Sequence, residues 1–125
     1  MPFFLHTNRK SFPSLRHASE EGLLAVGGDL SVDRLLTAYA NGIFPWYDES
    51  TPILWWPPPE RCMLRPAEVH IPRPLRRVVH SRRFTVTLDP AFASVIKSCA
   101  RPPRPRQNAT WIVPDMVAAY WDLHE

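Results

Sequence analysis

The 125-residue chain is 45% hydrophobic and 11% aromatic, and it carries a formal net charge of +3 with neutral histidines. No apolar run approaches the roughly 20 residues of a membrane-spanning helix, the N-terminus lacks a signal-peptide pattern, and the aromatic content argues against disorder. Two cysteines are too few for a disulfide scaffold, so we expect a cytoplasmic protein in which Cys62 and Cys99 are reduced.

The first part of the chain contains a closely spaced series of local signals. A short edge strand is predicted at residues 3–5, and Gly27 and Gly28 can take the positive φ values of a sharp turn. Ser31 is predicted to cap the N-terminus of a helix that ends at Gly42. The apolar side chains of this helix have the i, i+3, i+4, i+7 spacing of one buried face: Val32, Leu35, Leu36 and Tyr39.

An extended segment and a strand are predicted after this helix. Because Pro45 cannot continue a helix, residues 43–47 are expected to be extended. A loop at residues 48–52 follows. The apolar run at residues 53–56 is typical of a strand, which the three prolines at residues 57–59 bring to an end.

Short elements are predicted in the second half as well. Strands at residues 61–64 and 68–71 are separated by a turn at Pro66, and residues 72–80 form a helix with Pro74 in its first turn.

The remaining residues predict one more strand and two helices. Residues 84–88 alternate between apolar and polar side chains, which is typical of a half-buried strand. Asp89 is the predicted N-cap of the next helix, with Pro90 in its first turn. Its apolar residues have helical spacing: Phe92, Val95, Ile96 and Cys99. A last helix is predicted to begin near Pro114.

Three tryptophans in the middle of the chain are candidates for ligand contacts. Trp55 and Trp56 lie in an apolar run, which favours packing in a core or a domain interface over ligand binding. Trp46 lies in an irregular segment beside a proline, so pocket lining and core packing are equally expected for it.

Basic residues are concentrated in two groups. The first group comprises Arg73, Arg76, Arg77, His80, Arg82 and Arg83, and the second comprises Arg101, Arg104 and Arg106. Taken alone, such patterns favour a solvated surface over a phosphate-binding patch. The cysteines and histidines lack the spacing of a zinc site, so no metal site is predicted.

Several motifs together are specific to one family. Residues 22–47, GLLAVGGDLSVDRLLTAYANGIFPWY, are followed by PILWW, TWI and AAYWDLHE. In this order the motifs resemble the N-terminal half of the leucyl/phenylalanyl-tRNA-protein transferases. The resemblance implies an α+β fold with a small N-terminal domain at residues 1–59. Residues 60–125 would form the opening part of an incomplete, acetyltransferase-like (GNAT-related) domain.

The resemblance also implies a reaction. Members of the family move leucine or phenylalanine, and less well methionine, from aminoacyl-tRNA to proteins that begin with arginine or lysine, in the N-end rule degradation pathway. No cofactor is expected, because the aminoacyl ester is already activated. The residues that act on the amine are expected in the family's later segment, so no catalytic residue is assigned here.

Site residues follow from the same resemblance. Trp46 and Trp111 match tryptophans expected to contact the 3′-terminal adenosine of the tRNA, and Tyr39 and Tyr120 match tyrosines near that pocket. The first basic group is expected to bind the acceptor stem, whereas nothing in the family assigns a role to the second.

Two other hypotheses remain open at this stage. The chain could be an inactive remnant, or one half of a split enzyme, that binds the tRNA 3′ end. Alternatively, its tryptophans and prolines could form a protein-interaction module with no RNA ligand. Neither DNA nor a membrane is an expected partner in any of these hypotheses.

Overall fold

The computed structural model describes residues 2–58, 60, 62–101 and 110–125. In chain order, these residues form β1 (Phe3–Leu5), β2 (Ala25–Gly27), α1 (Val32–Ala40), β3 (Phe44–Pro45), β4 (Leu54–Trp56), α2 (Arg73–His80), α3 (Phe92–Cys99) and α4 (Pro114–His124). The predicted α+β class is confirmed. None of the helices in these ranges is long and apolar enough to span a bilayer.

The chain divides into two compact units. The larger one combines Met1–Pro59 with Phe92–Glu125, and the smaller one is Glu60–Ala91. Within the larger unit, α4 packs against both α1 and α3. The division into domains at residues 1–59 and 60–125 stays a prediction.

A four-stranded sheet in the order β1-β2-β4-β3 forms one layer of the larger unit. β1 is parallel to β2 and lies at the edge of the sheet, as predicted for residues 3–5. β4 is antiparallel to both of its neighbours, with Trp55 opposite Ala25 on one side and opposite Pro45 on the other. The predicted extended segment and the predicted strand after it are therefore confirmed as β3 and β4.

The core lies between this sheet and α1, with one contribution from α4. Its fully or almost fully buried members are Leu24, Ala25, Leu35, Ala38, Ile43, Trp55 and Ala119. The predicted apolar face of α1 is only partly correct. Leu36 and Tyr39 are about half exposed, at 55% and 47%, whereas Arg34 is completely buried beside Leu35. The buried face of α1 is therefore rotated toward Arg34 and Ala38.

The predicted turns around α1 and the predicted N-cap residue are confirmed. Gly27, Gly28 and Gly42 have φ values of 83°, 82° and 69°, in the region that disfavours a side chain. Ser31 occupies the N-cap position without a side-chain cap bond. Its hydroxyl instead donates to Asp29 Oδ1 at 2.5 Å, so the two side chains stabilise each other in front of the helix.

The three strands predicted in the second half are wrong for the described residues. Residues 62–64, 69–71 and 84–88 have no regular structure, Pro66–Glu68 is a single 3₁₀ turn, and Arg61 lies outside the described ranges. A strand needs a hydrogen-bonded neighbour, and none of the described residues pairs with these segments. Alternating apolar and polar side chains in a segment do not show whether another strand is present to pair with it.

Two of the three helices predicted there agree closely with the structure. α2 has Pro74 in its first turn, and α4 begins at Pro114, both as predicted. α3 begins at Phe92, and Asp89 is not its N-cap, because a φ of 55° places Asp89 in the left-handed region. Only Ile96 is buried in α3, whereas Val95 and Cys99 are exposed, so the predicted apolar face is wrong for those two residues.

Candidate nucleic-acid interface

Segments from distant parts of the chain line a cavity of about 380 Å³ in the larger unit. Its walls come from β4, the loop between β3 and β4, and the residues just before α4. We call it the indole cleft, and its lining residues are Trp46, Tyr47, Asp48, Thr51, Leu54, Trp56, Thr110 and Trp111. Trp46 and Trp111 are 54% and 41% exposed, so both indoles remain accessible. The structure thus brings together the two tryptophans that the resemblance singled out.

Trp46 is fixed by β4, although its own side chain is exposed. Its backbone N–H donates to Leu54 O at 2.9 Å, and its carbonyl oxygen accepts from Trp56 Nε1 at 2.8 Å. The rings of Trp46 and Trp56 lie 6.1 Å apart between centroids, tilted by 58°.

Trp55 and Trp56 point to opposite faces of β4. Trp55 is fully buried, and its Nε1 donates to Gly27 O at 2.9 Å, as expected for a core residue. Trp56 is half-buried and lines the indole cleft. Core packing, predicted for both residues, is confirmed for Trp55, whereas Trp56 is only half-buried and packs against Trp46. The two-residue period of a strand was the signal that could have separated them.

Tyr39 and Tyr120 join α1 to α4. Their hydroxyls are hydrogen-bonded to each other, and their rings meet edge to face with centroids 6.3 Å apart. Burial raises the pKa of Tyr120 well above that of a free phenol. The hydrogen bond with Tyr39 and the nearby charges of Tyr39 and Tyr47 act in the same direction. Tyr120 therefore stays protonated at neutral pH and can act as a hydrogen-bond partner, not as a base.

Tyr47 is a residue that the sequence analysis did not single out. It lines the indole cleft, and its hydroxyl oxygen is buried without a hydrogen-bond partner among the described residues. Burial raises the pKa of Tyr47, and the carboxylate of Asp115 raises it further.

A second cavity, of about 550 Å³, shares Asp48 and Thr110 with the indole cleft. Apolar side chains around the start of α4 form most of its wall, and Asp48 and Glu49 place two carboxylates at its edge. The two cavities are therefore adjacent.

The first basic group lies in the smaller unit. Its members are exposed: Arg73, Arg76, Arg77 and His80 on α2, and Arg82 and Arg83 just after it. We call them the basic patch. Among the described residues, no carboxylate lies within ion-pair distance of any of them. The arginine side chains of the basic patch therefore have no acidic partner among the described residues and are open to solvent. Arg101 of the second group is exposed, and Arg104 and Arg106 lie outside the described ranges.

The described residues contain no cluster of three or more histidine, cysteine, aspartate or glutamate side chains that could hold a metal ion.

Two family profiles match this chain. The profile of the leucyl/phenylalanyl-tRNA protein transferase N-terminal domain matches residues 28–59, and that of the leucyl/phenylalanyl-tRNA protein transferase matches residues 63–125. Together they match most of the chain to one family of transferases. It belongs to the leucyl/phenylalanyl-tRNA protein transferase family, so the resemblance found in the sequence is confirmed.

Curated relatives agree with this assignment. Proteins called leucyl/phenylalanyl-tRNA--protein transferase match with 57% identity in Oleidesulfovibrio alaskensis, 55% in Solidesulfovibrio magneticus and 56% in Syntrophobacter fumaroxidans. The matches cover 100%, 99% and 99% of this chain, but only 50%, 50% and 53% of the relatives. The chain therefore spans about half the length of the curated relatives it matches.

Proposed function

We propose that this chain supplies the aminoacyl-tRNA-binding part of a cytoplasmic leucyl/phenylalanyl-tRNA-protein transferase. The enzyme would move leucine or phenylalanine, and less well methionine, from tRNA to the N-terminal arginine or lysine of proteins in the N-end rule pathway. One observation supports the binding role above all others: Trp46 and Trp111, distant in sequence, are both exposed in one open cavity.

Exposed indoles in a cavity suit a nucleobase. Every base has a π face, and stacking on an aromatic side chain contributes about 1 to 3 kcal/mol per base. The cleft volume of about 380 Å³ lies within the usual range for small-ligand sites. Trp46 and Trp111 would therefore hold the 3′-terminal adenosine of the tRNA.

The two hydrogen-bonded tyrosines would complete this binding site. Tyr47 links them to the cleft, because it lines the cleft and lies near enough to influence the ionisation of Tyr120. Tyrosine hydroxyls can donate hydrogen bonds to ester or ribose oxygens. Tyr39 and Tyr120 would thus orient the aminoacyl end and leave it intact until the acceptor amine arrives.

The reaction needs little more from this part of the enzyme. A neutral amine attacks the ester carbonyl and forms the amide bond as the bond to the ribose oxygen breaks; the nitrogen loses one proton overall and the leaving ribose oxygen gains one. The aminoacyl ester is activated before it binds, so no cofactor is proposed. We assign no catalytic residue to this chain, whose contribution is to bind and position the ester.

The basic patch would hold the acceptor stem. Each phosphate that an arginine neutralises releases counterions, which makes the affinity depend on salt but not on sequence. Five exposed arginines, with no carboxylate at ion-pair distance among the described residues, provide the charge that this role needs: Arg73, Arg76, Arg77, Arg82 and Arg83. His80 lies on the same helix as three of them.

Alanine substitution of either cleft tryptophan tests the proposal. We expect Trp46→Ala and Trp111→Ala each to weaken the binding of leucyl-tRNA by about 5- to 150-fold, the equivalent of one lost stacking contact. Fluorescence anisotropy with labelled leucyl-tRNA measures the dissociation constants. Trp121→Ala is the matched control. Trp121 is 39% exposed and contacts Phe92 and His124 outside the cleft. Equal affinities in all four proteins would reject the nucleobase site.

Salt dependence tests the basic patch. Arg76→Ala and Arg77→Ala are each expected to reduce the slope of log affinity against log salt concentration by about one. Arg101→Ala is the control, because Arg101 is also exposed but belongs to the group with no assigned role. A slope that Arg101→Ala changes as much as the other two would show a diffuse charge effect in place of a defined patch. A salt-independent affinity would favour a protein ligand.

A further inference from the structure

An exposed tryptophan does not by itself make an ordered stacking surface. Trp46 is 54% exposed, so packing of its own side chain restricts it little. A ligand that had to immobilise this side chain would bind more weakly, because the lost conformational freedom opposes binding. The segment that carries Trp46 therefore needs another source of order.

β4 provides that order through hydrogen bonds to both the backbone N–H and the backbone carbonyl of Trp46. The N–H of Trp46 continues the β3–β4 pairing by donating to Leu54 O at 2.9 Å. Two residues further along β4, the Trp56 indole N–H donates to the Trp46 carbonyl at 2.8 Å. The second bond is a side-chain bond, so it depends on the identity of residue 56 and not merely on a strand being present.

The ring of Trp56 also limits where the Trp46 ring can go. The two centroids are 6.1 Å apart with a tilt of 58°, within the range of favourable aromatic pairs. Trp56 itself belongs to β4, and the preceding residue of that strand, Trp55, is fully buried. The contact therefore transmits the rigidity of the sheet to an exposed side chain.

We propose that Trp56 is a positioning residue, whose indole N–H fixes the backbone of Trp46 so that the Trp46 ring is already oriented when a nucleobase enters the cleft. This inference rests on the proposed function of the cleft. It assigns Trp56 a role distinct from stacking, because the atom that matters is Nε1 and not the ring face.

Trp56→Phe separates the two roles, because phenylalanine keeps an aromatic ring but has no N–H. We expect the dissociation constant for adenosine carrying 3′-linked leucine amide to rise about 3- to 10-fold, the cost of ordering one free side chain. The salt slope for leucyl-tRNA should be unchanged, because no phosphate contact is lost. An unchanged dissociation constant for the adenosine derivative would contradict the positioning role.

A measurement without ligand tests the same inference independently. The order parameter of the Trp46 indole N–H, from ¹⁵N relaxation, is expected to fall from about 0.85 toward about 0.6 in Trp56→Phe. Trp121→Phe is the matched control and should leave Trp46 unchanged, because the contacts of Trp121 are to Phe92 and His124. A Trp46 that stays equally ordered in Trp56→Phe would overturn the inference.

The two readouts also separate failure of this inference from failure of the proposed function. If the unmodified chain does not bind the adenosine derivative, the nucleobase site is wrong, and the relaxation data still decide whether Trp56 orders Trp46. If Trp46→Ala weakens binding but Trp56→Phe changes neither affinity nor order, the site stands and the positioning role is rejected.

Discussion

Replacing Trp55 with alanine is expected to destabilise the chain by about 3 to 5 kcal/mol, the usual cost of truncating a large buried aromatic side chain. Trp55 has no exposed surface, its ring meets Phe12 edge to face at 4.9 Å, and its Nε1 donates to Gly27 O at 2.9 Å. The substitution removes these contacts together and leaves a cavity in the middle of the sheet. Because small domains have only about 5 to 15 kcal/mol of stability, this loss is a large fraction of the total.

Urea unfolding followed by circular dichroism measures this loss. Trp55→Phe should cost less than Trp55→Ala, because the ring is retained and only the hydrogen bond to Gly27 and part of the volume are lost. Trp121→Ala controls for the removal of a tryptophan from the surface. If Trp55→Ala lowered the unfolding free energy no more than Trp121→Ala does, the sheet would not be organised around Trp55.

The contrast between Trp55 and Trp56 shows how far the sequence could be read. Gly27, Gly42 and Pro45 each act on their own backbone, so the turns and the ends of α1 and β3 could be predicted locally. Which of two adjacent tryptophans enters the core depends on the neighbouring strands. Strand alternation places Trp55 and Trp56 on opposite faces of β4, but the pairing of β4 with β2 and β3 decides which face is buried.

Prediction of the candidate site from the sequence was limited in the same way. The resemblance associated Trp46 with Trp111, but their types and spacing alone could not place both in one cavity. Tyr47 was not singled out, and the bond from Trp56 to Trp46 was not predicted, because a buried hydroxyl and an indole N–H have surroundings that are set by tertiary contacts. The strand predicted at residues 84–88 failed for a related reason, since a pattern of alternation does not include its pairing partner.

The buried side chain of Arg34 fixes the N-terminal segment, a role that the sequence did not predict. Arg34 lies on α1 and is completely buried. Its Nη2 donates to the carbonyl oxygens of His6 at 2.7 Å and Arg9 at 3.0 Å, and it lies 3.3 Å from Asp29 Oδ2. Gly28 leaves room for it, because a Cβ there would lie 3.0 Å from Arg34 Cζ. A residue type that is usually exposed therefore holds β1 and its following loop onto α1.

Asp29 is the carboxylate that balances this buried charge. Besides Arg34, it accepts a hydrogen bond from Lys10 Nζ at 2.7 Å and two from Ser31, through its backbone N–H at 3.0 Å and its hydroxyl at 2.5 Å. Burial alone would raise the pKa of Asp29. The hydrogen bonds from Lys10, Ser31 and Arg34 together outweigh burial and hold this pKa far below its usual range.

Asp29→Asn is expected to destabilise the chain by about 2 to 3 kcal/mol at neutral pH, because the buried Arg34 loses its only carboxylate partner among the described residues. The pH dependence follows from the lowered pKa. The unfolded chain protonates Asp29 near pH 4, whereas the folded chain resists protonation, so this carboxylate stabilises the fold fully above about pH 5. Its contribution decreases as the pH falls below about 4 toward the pKa of the folded state.

The difference in unfolding free energy between the unmodified chain and Asp29→Asn, measured by urea unfolding from pH 7 to pH 2.5, should therefore be constant down to about pH 5 and then shrink. Asp122→Asn is the matched control, because Asp122 is exposed on α4 and the same chemical change there should have little effect at any pH. A difference that stayed constant to pH 2.5 would show that Arg34 is balanced by something other than the Asp29 charge. The anchoring of the N-terminal segment would then depend on the His6 and Arg9 carbonyl bonds alone.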